Sequence, residues 1–302
     1  MAQEQPKEGT RLSAMEIHDN ILEPARKEMD RPAVSLLWSS LASGMVIGFS
    51  FLASAFAANL VSEEHRHAAA AAAYPLGFIF VIMARSELFT ENTLDPVIPF
   101  LDQRDGETFR KLVRMWVLLL VGNLIGAVIF GWVLARTPVV NAELQSGLSR
   151  LAEEATSGGF GRVLYAGIFA GWLIALLSWL LASTHSTGAQ IALIWLCTAP
   201  ISALQFRHSI AGSVEAFYRA AGGEASWSSM LGNFVVPAVL GNAIGGVLLV
   251  ALLNYGQVAP EKEEEKQGKT SPPGKRGDRH EGKDERDRRE GYGRRKVDIG
   301  AW

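Results

Sequence analysis

The chain has 302 residues, 48% of them hydrophobic and 20% charged, with a formal net charge of −2 and a mean hydropathy of +0.13; taken as averages, these describe an ordinary soluble protein. The averages merge two unlike segments, because residues 259–302 hold 13 of the 29 Lys and Arg and 11 of the 31 Asp and Glu, leaving 16 basic and 20 acidic residues among the other 258, about 14% charged. That is membrane composition, and the single Cys197 excludes both a disulfide framework and a thiolate metal site.

Residues 11–31 set Leu12, Met15, Ile17, Ile21 and Leu22 among charges, which predicts an amphipathic helix on the inner membrane surface, ending where Pro32 opens the first span. Five runs without Asp, Glu, Lys or Arg follow, at 33–62, 68–84, 115–135, 163–206 and 225–260. At about 1.5 Å per residue each suits a hydrocarbon core of roughly 30 Å. The fourth run is about twice as long and must fold as two spans joined around 183–188. The expectation is therefore an all-α polytopic membrane protein with six transmembrane helices, at roughly 35–60, 68–88, 111–135, 161–183, 188–218 and 229–254. Three regions result: a cytoplasmic N-terminal segment (1–32), the transmembrane domain (33–258) and a charged tail (259–302). The cations Lys7, Arg11, Arg26, Lys27 and Arg31 before the first span, and Arg104, Arg110, Lys111 and Arg114 between the second and third, place both termini in the cytoplasm. No cleaved signal peptide is expected before residue 33. The tail interleaves both signs of charge with almost no apolar residues, so it is expected to be disordered, a solvated spacer.

Small-xxx-small pairs occur once each in spans 1, 3, 4 and 6: Gly44 and Gly48, Gly122 and Gly126, Gly167 and Gly171, Gly241 and Gly245. Span 1 maps onto span 4 at an offset of 123 and span 3 onto span 6 at 119, GNLIGA against GNAIGG being the clearest match. Homologous halves of three spans each insert with opposite orientation, so the expectation is an inverted 3+3 repeat of the kind transporters and channels use. Spans 2 and 5 then correspond, and both carry polar interruptions, in ARSELFTENTLDPVIP and ALQFRHSIAGSVEAF. At an offset of 118 Thr90 falls opposite His208 and Phe89 opposite Arg207. Ionisable residues inside spans cost roughly 2.5 to 3.5 kcal/mol each and usually face a cavity. Two broken helices in corresponding places mark a substrate path, whereas straight helices would carry Thr90 and His208 toward opposite surfaces.

ELFTENTL after span 2, GN in span 3, FRHSIAGSV in span 5 and NFVVPAVLGNAIGG in span 6 resemble the formate/nitrite transporter family over about residues 33–255. The resemblance implies a homopentamer of aquaporin-like protomers in a bacterial inner membrane, each with its own pore, in which the breaks of helices 2 and 5 meet at a central histidine. By position, His208 matches that histidine and Thr90 the threonine facing it. Leu88 and Phe89 match an apolar loop gate, Tyr74 and Phe78 the constrictions lining span 2, and Asn242 the asparagine of the span 6 GN motif. Better-known members carry Glu immediately before the histidine, where this chain has Arg207, a small residue where Glu91 stands, and a cysteine-asparagine pair where Ala170 to Trp172 reads AGW.

An anion loses its hydration in passing Leu88, Phe89, Tyr74 and Phe78, whereas the neutral acid of a weak monocarboxylate loses far less. A histidine can donate a proton to the arriving anion and recover it afterwards. That assigns proton exchange to His208, with Thr90 and Asn242 as orienting hydrogen-bond partners, while Arg207 either draws anions or pairs with Glu87 or Glu91 across the breaks. No nucleophile, phosphate-loop or HExxH motif supports an enzyme, and no cofactor, metal or nucleic acid is expected; His65 and His67 beside Glu63 and Glu64 read as a solvated cap. The expected partners are a small anion, the bilayer and further copies of the chain. A non-conducting scaffold that keeps the fold, or a passive pore for small neutral solutes, are the other readings.

Overall fold

The computed structural model describes residues 12–270, with side chains through residue 262. Every regular element among them is helical. The first, α1 (Ala14–Met29), begins at a capping box: Ser13 Oγ accepts from the Glu16 amide at 3.2 Å while Glu16 Oε2 accepts from the Ser13 amide at 2.7 Å. Its apolar stripe of Ile21, Leu22, Ala25 and Met29 is buried within the protein.

Then come α2 (Ala33–Val46) and α3 (Gly48–Asn59), the two parts of the first apolar run, and α4 (Arg66–Ala73) and α5 (Pro75–Met83), the parts of the second. Pro75, which lacks an amide proton, sits at the first turn of α5 where none is needed. Helix ends at Met83, and residues 84–96 are non-helical apart from a short turn at Glu91–Thr93. A short helix, α6 (Val97–Gln103), follows; it was not expected. Asp105 caps α7 (Gly106–Arg136), its carboxylate accepting from the Glu107 and Thr108 amides at 2.8 and 2.9 Å, which holds that exposed group below the usual carboxylate range.

The stretch between the third and fourth spans contains a second unexpected helix, α8 (Ala142–Ala155), capped by Asn141 and burying Gly147, Leu148 and Ala152. Its signal was present in the sequence: an Asn cap followed by Leu144, Leu148 and Leu151 at helical spacing. After it come α9 (Gly159–Leu181), α10 (Thr187–Ala203) and α11 (Ser209–Gly222), the last two separated by the non-helical residues 204–208. The final apolar run is α12 (Trp227–Met230), α13 (Val236–Gly246) and α14 (Leu252–Thr270), joined by π-turns at Leu231–Val235 and Val247–Ala251. Helix α14 runs through residue 259, where the disordered tail was expected to start; residues 271–302 lie outside the described part. The compact body ends at Ala259.

Five helical stretches, 33–59, 63–83, 106–136, 159–181 and 227–262, are long and apolar enough to cross a membrane, and Thr187–Ala203 is a shorter apolar helix. Large apolar side chains such as Trp38, Phe56, Trp132, Leu196 and Leu253 point outward, at least half exposed, as a lipid-facing or subunit-facing surface requires.

Two helix pairs, α2 with α7 and α9 with α13, pack through seven of the eight glycines, the eighth, Gly48, opening α3. A methyl group on Gly44 would land on the Asn123 backbone, and one on Gly171 on the Asn242 backbone. On Gly126 it would meet the Leu41 carbonyl and the Met45 amide; on Gly245 it would meet the Ile168 carbonyl and the Trp172 amide. Gly122 lies against Ser40 and Gly241 against Leu164 and Gly167, while Gly48 sits under the Phe130 ring. Leu41 to Ile168 and Met45 to Trp172 are both offsets of 127. Asn123 and Asn242, like Gly126 and Gly245, are 119 residues apart.

Candidate functional site

Residues 84–96 and 204–208, the two non-helical segments, meet in the interior. Thr90 Oγ1 lies 2.8 Å from His208 Nε2, with Thr90 fully buried and His208 1% exposed. His208 is the N-cap of α11, and its Nδ1 accepts from the Ile210 and Ala211 amides at 3.2 and 3.1 Å. Because a ring nitrogen that accepts two amide hydrogens carries no proton, the neutral ring has its proton on Nε2, donated to Thr90. The histidine is thereby oriented by its own helix and by Thr90. Asn242, expected to be a hydrogen-bond partner of the ring, makes no hydrogen bond to it.

Asn242 instead holds the backbone on both sides of His208. Its Oδ1 accepts from the Ser209 amide at 2.7 Å, and its Nδ2 donates to the carbonyls of Arg207 at 2.9 Å and Gly167 at 2.8 Å. Asn123 does the same for the other segment: Oδ1 accepts from the Phe89 amide at 2.8 Å, and Nδ2 donates to the Glu87 carbonyl at 3.0 Å and to the Ser40 carbonyl and Ser43 hydroxyl at 2.7 Å. Ser43 also donates to the Glu87 carbonyl. Irregular backbone away from water must have its polar groups satisfied, and these two asparagines do so. Asn123 was not singled out from the sequence, although the paired GN dipeptides of GNLIG and GNAIG carried its signal.

The clamped backbone groups are 120 residues apart, Glu87 from Arg207 and Phe89 from Ser209, while Thr90 and His208, matched at 118 in the sequence, are in direct contact. The rings expected as constrictions line up beside the histidine: Phe78 lies edge-on to His208 at 4.9 Å between centroids, and Tyr74 is 5.3 Å from Phe78. Leu88, Phe89, Tyr74 and Phe78 are all buried, and Phe89 packs at 6.1 Å on Trp116, whose indole donates to the Asn92 carbonyl at 2.7 Å.

The charged residues are arranged differently from either expectation. Glu87 pairs with Arg31 at 2.8 Å and accepts from Asn92 at 3.0 Å, so the first break is tied to the end of α1 and not to Arg207. Glu91 makes no ion pair among the described residues; with Glu87, Asp95, Glu28 and Arg85 it lines a cavity of about 870 Å³, in which Asp95 accepts from Ser178 at 2.7 Å. Arg207, 4% exposed, donates through Nη2 to the Glu154 carbonyl at 3.0 Å, and its Nε has no hydrogen-bond partner. It lines a second cavity, of about 60 Å³, together with Tyr74, His208, Ser54 and Glu215. No residue lines both cavities. Glu215, on α11 seven residues after His208 and so on the same face, is the charged residue that the sequence reading missed. Of the two histidines on the first short loop, His67 bonds the Ala203 carbonyl at 2.9 Å and His65 the Ser62 hydroxyl at 2.9 Å.

Known proteins are similar to this chain in sequence and fold. A sequence profile of the formate/nitrite transporter family matches residues 15–256. Inner membrane protein YfdC of Escherichia coli (strain K12) is 33% identical over 246 residues, covering 81% of this chain and 79% of that protein. A probable formate transporter of Methanothermobacter thermautotrophicus is 29% identical over 257 residues, covering 74% of this chain and 92% of its own length. Among solved structures, an ion channel of the FNT family superposes with a TM-score of 0.68 at 21% identity, covering 81% of this chain and 98% of that one. A pentameric formate channel with formate bound superposes with a TM-score of 0.63 at 19% identity, covering 75% and 98%. With a profile match over most of its length and a helical body of the same fold, this chain belongs to the formate/nitrite transporter family, whose members are membrane channels and transporters and not enzymes.

Proposed function

We propose that the chain conducts small monovalent anions of weak acids across a membrane, through a pore in each protomer that is closed at its middle by Thr90, His208 and the apolar side chains around them. The observation that carries this reading is the buried 2.8 Å contact between Thr90 and His208, made where two non-helical segments meet. In this reading α4–α5 with α6, and α10 with α11, are two broken helices related by an inverted repeat; the matched glycine and asparagine contacts support it. The repeat places six membrane crossings in each protomer, and both termini on the cytoplasmic side follow from the positions of the cations. Outward-facing Trp38, Phe56, Trp132 and Leu196 supply surface for lipid and for neighbouring subunits, and a homopentamer is proposed by analogy with the pentameric formate channel.

The chemistry follows from the geometry of the closure. Phe78 and Leu88 are fully buried and Phe89 nearly so, and an anion passing between such apolar side chains sheds its hydration. Burying an unpaired carboxylate costs far more than burying a neutral acid. In the resting, neutral ring of His208, Nδ1 is engaged by α11 and the Nε2 proton faces Thr90, so it is the proton that a solute arriving there meets. To donate it the ring first takes a proton from the outer solution at Nδ1, giving up the amide bonds; the imidazolium passes its Nε2 proton through Thr90 to the anion, the neutral acid crosses, and the ring is left neutral and returns to its resting tautomer. Uptake therefore carries one proton with each anion and accelerates as the outside is acidified.

The test is uptake of radiolabelled formate, acetate and nitrite into proteoliposomes with an imposed pH gradient. Uptake driven by an acidic exterior supports the reading; flux insensitive to the gradient points to a passive pore, and no flux of any of the three to a scaffold. Native mass measurement in mild detergent tests the pentamer.

A further inference from the structure

We propose that Arg207 is a specificity-determining residue: its guanidinium forms, in the small cavity beside His208, a binding station for a planar oxyanion of three or four heavy atoms, the size of formate, nitrite or acetate. The proposal deepens the transport reading and depends on it only for the identity of the ligand as the conducted solute.

A buried guanidinium normally has its donors satisfied, because a charged donor without an acceptor is costly in a low-dielectric interior. Arg207 departs from this rule. It is 4% exposed, yet among the described residues its only side-chain hydrogen bond is from Nη2 to the Glu154 carbonyl, and buried Nε has no partner. Glu215 borders the same cavity, but no hydrogen bond or ion pair joins it to Arg207. The guanidinium is thus held at one corner by a neutral carbonyl, with Nε unbonded and Glu215 the acid that borders the same cavity. A planar fork with free donors matches a carboxylate or nitrite, which can accept two parallel hydrogen bonds, better than a spherical halide or a thiolate.

The cavity sets the size. Its volume of about 60 Å³ is lined by Tyr74, Ser54, His208 and Glu215 among others. It has room for a few waters or one very small anion, since a single water needs roughly 10–15 Å³ by the same measure. His208 is both the chain neighbour of Arg207 and part of the cavity wall, so an anion on the fork waits next to the ring that supplies the proton.

The station is tested in two ways on the full-length chain, with Arg207→Lys, which keeps the charge but not the fork, and Arg207→Gln, which keeps neither. The first is thermal unfolding in detergent with sodium formate against sodium chloride at equal ionic strength, and with sodium lactate as the oversized anion. Formate should raise the wild-type midpoint above that in chloride, lactate should not, and both variants should lose the difference. The second is formate uptake in proteoliposomes, where Arg207→Lys should raise KM about tenfold with the maximal rate within about threefold. Because Lys retains a donor for the Glu154 carbonyl, this variant remains informative if Arg207→Gln does not fold. A formate shift that survives in the Lys variant, a lactate shift equal to formate, or no wild-type shift would overturn the station. Should wild-type vesicles take up no weak acid, the transport reading falls while the thermal shifts still decide the station; uptake with an unchanged KM in the Lys variant leaves transport standing and removes Arg207 from it.

Discussion

Replacing Asn242 with Ala should disable the protein without touching the histidine. The side chain is fully buried and makes three hydrogen bonds, to the Ser209 amide and to the Arg207 and Gly167 carbonyls. Gly167 lies inside α9, where its carbonyl keeps an intrahelical partner, so the loss there is small. The Ser209 amide at the first turn of α11 and the Arg207 carbonyl in the non-helical segment have no such alternative. Leaving a buried polar group unsatisfied costs about 1–3 kcal/mol, so two give about 2–6 kcal/mol. Interhelical hydrogen bonds inside membranes average nearer 0.6 kcal/mol because the disrupted state finds other partners, which sets a floor of about 1–2 kcal/mol for three bonds. The expected destabilisation is therefore about 2–4 kcal/mol, read as a lower unfolding midpoint in detergent. Uptake should fall by more than tenfold at a temperature where the variant is still folded, since the segment that sets the depth of His208 loses its anchor on both sides. Asn242→Asp, which retains an acceptor for Ser209 but sets an oxygen against two carbonyls, should be no better than Ala. A midpoint within about 0.5 kcal/mol of wild type together with uptake within twofold would refute the assignment of Asn242 as the clamp of this segment.

Asn is itself a good N-cap, so His208→Asn should keep α11 capped and the stability within about 1 kcal/mol, while removing the Nε2 proton; uptake should then lose its response to pH between about 5 and 8, and an unchanged profile in the folded variant would remove the proton-exchange mechanism. Gly44→Ala and Gly171→Ala should each prevent normal assembly, because the added methyl falls on the backbone of Asn123 or Asn242; near-normal yield of oligomer on native gels would contradict the close approach. Hydrogen bonds from Ser13 hold the Glu16 carboxyl below its ordinary value near 4.5, so the capping box contributes stability above that value and loses it as the pH falls through the lowered one; amide exchange at Ala14–Ile17 should accelerate on acidification, and Glu16→Gln should abolish the dependence.

What the sequence determined by itself is what depends on composition and period. Uncharged runs long enough for a bilayer located the apolar helices to within a few residues, because lipid tolerates neither charge nor unpaired backbone and so writes its thickness into the chain. The pairing of Thr90 with His208 was legible from the resemblance and from two polar interruptions in corresponding spans. The helix α8 was legible too, from its cap and its leucine spacing, but was passed over because its segment is polar overall. The partners of the glycines needed the tertiary structure: glycines recur every four residues on one helix face, so their spacing does not say which carbonyls and amides of the facing helix lie against them. The same holds for the charges. Nothing local distinguishes a guanidinium that finds Glu87 from one that finds Glu154, because the choice is made by which backbone happens to lie within 3 Å once the helices have packed. Packing gave Glu87 to Arg31 and left Arg207 with a single carbonyl and an open cavity. Ion pairing in a low-dielectric interior is decided by distances of a few ångströms between residues far apart in the chain, and only the folded arrangement sets those distances.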